Sequence, residues 1–70
     1  MTRNQAMVTD AGARFSRGRM DKYVFYGMMS TMLRLHYTSY AAVARASNVA
    51  ESVVRMRVRD IRHMMSEGTY

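Results

Sequence analysis

Ala44-Arg45-Ala46-Ser47-Asn48-Val49-Ala50-Glu51-Ser52-Val53-Val54-Arg55-Met56-Arg57-Val58-Arg59-Asp60-Ile61 is the stretch whose reading decides the fold. Two helices that cross in a tight turn need a small side chain where their backbones meet, and Ala44 supplies it. The turn needs a residue tolerant of positive φ, usually glycine, and Asn48 is the next best choice. Val49 and Val54 then fill the space between the helices. Val54, Val58, Ile61 and Met65 fall at i, i+4, i+7 and i+11, a single apolar stripe on a helix from about Ala50 to Glu67. Gly68 stands where a helix-ending glycine belongs. Upstream, Thr38 or Ser39 suits the N-cap of a short helix over 39–47, with Tyr40, Val43 and Ala44 facing inward.

One position runs against the pattern. Ala50 stands where a serine or threonine would cap the second helix, a contribution of roughly 1 kcal/mol. Glu51 and Ser52, in the first turn, compensate in part.

The residues from Asn48 to Ile61 resemble the recognition-helix stretch of bacterial helix-turn-helix and winged-helix regulators. Met64-Met65-Ser66-Glu67-Gly68 is similar to the acidic-glycine end that precedes the wing in those families. The resemblance covers about residues 39–68, and since the chain stops at Tyr70 no wing is expected. It implies that the second helix of the motif enters the major groove with its N-terminal residues against the bases. With the apolar stripe turned inward, Glu51, Ser52, Arg55, Met56 and Arg59 face outward. Arg55 and Arg59 share a face and are suited to guanine or phosphate, Ser52 to a base edge or phosphate, and Glu51 to cytosine. Arg57 and Arg62 point sideways and, with Arg45 on the preceding helix, are assigned to backbone phosphates.

Charge points the same way. The chain carries 11 basic and 5 acidic residues, net +6, and every basic residue except Lys22 is arginine. Arginine offers a rigid fork of donors suited to phosphates and to the guanine edge. Such a balance reads first as nucleic-acid binding, then as affinity for an acidic protein or membrane surface. There is no cysteine, so disulfides and thiolate–metal clips are excluded. His36 and His63 are not expected to bind metal, and no cofactor is expected. No nucleophile–base–acid set, phosphate-cradling glycine loop or carboxylate pair suggests an enzyme. No apolar run approaches the ~18 residues of a membrane span, and Met1 to Asn4 lack the start of a secretion signal. A cytoplasmic setting, in a bacterium or a virus-infected cell, is the expectation.

Residues 1–19 read as a flexible basic arm, with Gly12 and Gly18 as breaks and a short helix over Asp10–Phe15 as the ordered alternative. Arg17-Gly18-Arg19 in that arm is suited to a narrow minor groove, but a linker that happens to be basic is the plainer and favoured reading. Residues 20–70 form the domain proper, so the expected fold is all-α, a three-helix helix-turn-helix behind the arm. Asp21 marks the start of a helix that is apolar nearly all round, with stripes Val24-Met28-Leu35 and Phe25-Met29-Met32-Leu33. Gly27 within it suits close helix packing. One stripe covers the domain; the other needs a cover. A homodimer contact through Val24, Met28, Met29, Met32 and Leu35 is therefore predicted, unless the N-terminal segment folds back over this helix. A chain of about this length buries only about 60% of its unfolded surface, which adds weight to a partner.

Two functional readings emerge. In one, the chain is a small duplex-DNA-binding transcriptional regulator of the phage or plasmid kind. In the other, the same fold inhibits or recruits a host protein through the methionine-rich helix.

Overall fold

The computed structural model describes residues 1–66, and among them α-helix is the one kind of regular secondary structure. Its elements are α1 (Arg3–Ser16), α2 (Lys22–Arg34), α3 (Tyr40–Ser47) and α4 (Glu51–Ser66). The all-α expectation holds. The flexible N-terminal arm does not: most of residues 1–19 are helix.

Two local devices make α1. At its start Thr2 and Gln5 form a capping box: the Gln5 amide donates to the Thr2 hydroxyl at 3.1 Å, and the Thr2 amide donates to the Gln5 side chain at 2.8 Å. Each satisfies an amide that the helix itself leaves unpaired. At its end Gly18 takes φ +72°, while the amides of Gly18 and Arg19 return to the carbonyls of Phe15 and Arg14. That is a complete Schellman closure, which requires a left-handed residue at the glycine. Gly12 does not break the helix. It is buried against α3, so close that a Cβ there would lie 2.5 Å from the Ala46 carbonyl carbon and oxygen. Val8, Ala11, Gly12 and Phe15, at i, i+3, i+4 and i+7, form the inner face of α1.

α2 begins at Asp21, whose carboxylate accepts from the amides of Tyr23 and Val24 at 2.8 and 3.3 Å. Its two stripes part company. Phe25, Met29, Met32 and Leu33 enter the core, while Val24 and Leu35 stay about half exposed. Phe25 stacks on Phe15 with ring centroids 4.5 Å apart, and Tyr26 meets both rings edge-on. The N-terminal segment thus folds back over the inner stripe and leaves the outer one open. α2 closes as α1 does, with His36 at φ +62° in the place of glycine.

α3 is capped by Ser39, which accepts from the Ala42 amide at 3.2 Å, and centres on the fully buried Val43. Asn48 ends it in the left-handed region, at φ 58° and ψ 41°. After the turn, the Ala50 carbonyl accepts from the Val53 and Val54 amides and starts α4. Val54, Val58 and Ile61 are buried as expected. Met65 is not: the stripe runs out at Ile61, and Met65 is more than half exposed beside a groove lined on its α2 side by Tyr23, Val24 and Gly27. Gly68 lies outside the described residues.

The packing is interleaved. α1 rests chiefly on α3, and α2 chiefly on α4, with α3 against α4 and α1 against α2 as lesser contacts. Val8, Phe25, Met29, Val43, Val54 and Val58 meet in one core.

Candidate nucleic-acid interface

Burying Val54, Val58 and Ile61 leaves the opposite side of α4 to solvent. Glu51, Ser52, Arg55, Met56, Arg57 and Arg59 are all exposed there. Periodicity alone fixes this face, since every residue off the apolar stripe must point away from the core.

The arginines are held differently. Arg55 donates to the Glu51 carboxylate at 2.7 Å, and its guanidinium lies 4.3 Å from the centroid of the Tyr40 ring. An exposed ion pair of this kind contributes at most about 1 kcal/mol, and an exposed cation–π contact about 0.5–1 kcal/mol. Together they orient Arg55 more than they stabilise the fold. Tyr40, at the start of α3, was read from sequence only as an inward-facing residue. Its role under Arg55 arises across the turn between α3 and α4, and no local spacing announces it.

Arg59 approaches Asp60 at 3.9 Å and is otherwise exposed. Arg57 lines a cleft with Lys22, Tyr23, Tyr26 and Asp60. Burial raises the Tyr26 phenol above its ordinary pKa, and the Arg57 guanidinium opposes that shift. Arg45, on the last turn of α3, is exposed on the same side as the turn and borders the hollow formed by Ala44, Asn48, Val49 and Ala50.

Other predicted positions stand elsewhere. Arg62 reaches back to α2, where its Nε donates to the Ser30 hydroxyl at 3.1 Å and its second nitrogen to the Ser30 carbonyl at 3.4 Å. It ties α4 to α2 and is not a free phosphate donor. Arg17 and Arg19 are exposed, but they flank the ordered Schellman turn of α1 and are not carried on a loose arm. Of the predicted dimer residues, Met29 and Met32 are buried in the chain's own core and have no surface to offer a second copy, while Val24 and Leu35 are exposed and Met28 is partly so.

Among the described residues no group of three or more histidine, acidic or cysteine side chains is placed to hold a metal. Nor is any helix among them long and apolar enough to cross a membrane. Compared with protein-family models, with curated proteins and with solved structures, the chain matches none.

Proposed function

We propose that this chain binds duplex DNA through a helix-turn-helix made of α3, the Asn48 turn and α4, and acts as a small transcriptional regulator. The observation that carries the reading is the division of α4 into a buried aliphatic side and an outward side bearing Ser52, Arg55, Met56 and Arg59, directly after a turn closed by a left-handed asparagine. In this reading the start of α4 enters the major groove. Arg55 and Arg59 read guanine edges, and Ser52 and Met56 contact neighbouring base edges. Arg45 and Arg57 bind phosphates on either side. Ala50 supports the same docking, since its side chain caps nothing and, with Val53 and Val54 bonded to the Ala50 carbonyl, the Glu51 and Ser52 amides are left to a backbone phosphate. Glu51 shares Arg55 with the DNA and penalises binding that does not engage that arginine.

Affinity on this reading falls steeply with added salt, as each neutralised phosphate releases its counterions. The test is recovery of fragmented genomic DNA by the purified protein, followed by salt titration on any enriched site. Replacing both Arg55 and Arg59 with alanine should abolish site preference while the helical signal and melting temperature stay near those of the unaltered protein. Normal binding of the preferred site by that double variant would refute the assignment of α4.

The exposed outer stripe of α2 favours a second reading, a module that docks on a host protein and inhibits or recruits it. Stoichiometric capture of one host protein, with no enrichment of any DNA fragment, would select it.

A further inference from the structure

The closing turns of α1 and α2 hold different residues in the left-handed position, Gly18 at φ +72° and His36 at φ +62°. Glycine takes that conformation freely, whereas a residue with a side chain does so at a conformational cost. The imidazole kept at position 36 stands at a hollow where three helices meet. Arg34 and His36 line it from the end of α2, Tyr40 and Ala41 from the start of α3, and Arg55 and Arg62 from α4. Among the described residues Glu51 is the one acidic side chain on its wall, so three guanidiniums against one carboxylate leave two positive charges uncompensated. Arg62 is fixed on Ser30, and Arg55 on Glu51 and Tyr40. Arg34 is exposed and has no acceptor among the described residues. The first amides of a helix have no acceptor within it. Ser39 takes that of Ala42, and nothing among the described residues takes those of Tyr40 and Ala41.

We infer that this hollow binds a doubly charged phosphate group, such as the terminal phosphate of a nucleotide. Arg34 and the amides of Tyr40 and Ala41 are its donors, with His36 at the lip. The fork of an arginine and the first amides of a helix both suit a tetrahedral oxyanion. Charge selects among the anions. A phosphomonoester carries about 1.5 to 2 negative charges near neutral pH, which matches the surplus on the wall. A carboxylate, or a phosphodiester of a duplex backbone, carries a single one. The site is therefore distinct from the proposed duplex-binding side of α4. The two meet at Arg55, which lines the hollow and also belongs to that side.

The inference does not depend on duplex binding, and its test contains no duplex. Amide resonances of the full chain are followed by NMR as adenosine monophosphate is added at constant ionic strength, with adenosine as the control. The amides of Tyr40 and Ala41 should shift saturably with the monophosphate and stay in place with adenosine. Arg34→Ala and His36→Gly should each weaken this binding by about threefold or more. Arg3→Ala, which removes the same charge from α1, should leave it unchanged. His36→Gly should melt no lower than the unaltered chain, because glycine suits the left-handed turn, so its loss of binding is not a loss of fold. A trinucleotide bearing a 5′-phosphate separates the sources of the phosphate. Binding as tight as that of the monophosphate assigns the end of a nucleic acid, and weaker binding assigns a free phosphorylated small molecule. No saturable shift at Tyr40 and Ala41, or an equal shift with adenosine, overturns the inference. So does an equal loss of binding in Arg3→Ala, or unchanged affinity in both Arg34→Ala and His36→Gly.

Discussion

α1 and α4 both rest on α3, but by unlike means. α1 brings Gly12 against the backbone of Ala46, with only Val8 and Ala11 fully buried beside it. α4 instead buries Val54 and Val58 in the same core as Val43 of α3, a contact made by side chains. A contact between branched side chains weakens by degrees as methyl groups are removed. A contact between backbones has no such gradation, since the first added carbon already occupies space held by the neighbouring chain.

The sharpest way to break the contrast is Gly12→Val. Its Cβ would meet a carbonyl group, not the end of a flexible side chain, so α1 must leave α3. The expected loss exceeds about 3 kcal/mol, much of the stability of a domain this small. Urea denaturation followed by circular dichroism would read it, and a midpoint close to that of the unaltered chain would show the crossing to be looser than described. Val54→Ala probes the other contact and should cost about 2 kcal/mol, with cooperative unfolding retained. Thr2→Ala removes the start of α1 without touching the crossing, and should cost about 1 kcal/mol. Hydrogen exchange should then quicken in the first turn of α1 and stay slow in α4; equal acceleration in both would mean that the helices are not separable in this way. The smallest effect concerns pH. Burial raises the Tyr26 phenol in the folded state, so the unfolded chain ionises first. Its contribution is constant below the ordinary tyrosine pKa of about 10 and is lost as pH rises beyond it. Tyr26→Phe should flatten that alkaline decline, and an unchanged slope would assign it to other groups.

The same contrast explains what could be read from the residues alone. The α3–α4 unit has its signals close together: Ser39 for the cap, Ala44 for the crossing, Asn48 for the left-handed turn, and valines at helical spacing. Each acts on its near neighbours. α1 was misread because its inner face is small, with Val8, Ala11 and Gly12 beside the single large side chain of Phe15, and because glycine in a helix looks like a break until its neighbour is known. Gly12 and Ala46 are far apart in the chain and adjacent only in space. The outward set of α4 followed from periodicity, apart from Arg62, whose length lets it reach Ser30 on α2. The Tyr40–Arg55 stacking was beyond local reading for the same reason as the Gly12 crossing. In α2 both stripes were visible, but which one turned inward depended on Phe15, a residue of the segment taken for an arm.

The interleaved order of packing bears on how the chain acquires its structure. A cut between Leu35 and Ser39 would leave α1 with α2 on one fragment and α3 with α4 on the other, and each fragment would lack its members' chief neighbours. Neither half is a self-sufficient folding unit, so cooperativity must span the whole chain. Forming the chief contact of α1 has to close the loop that carries it past α2 to α3, and this is expected to slow folding relative to a simple up-and-down bundle of the same size.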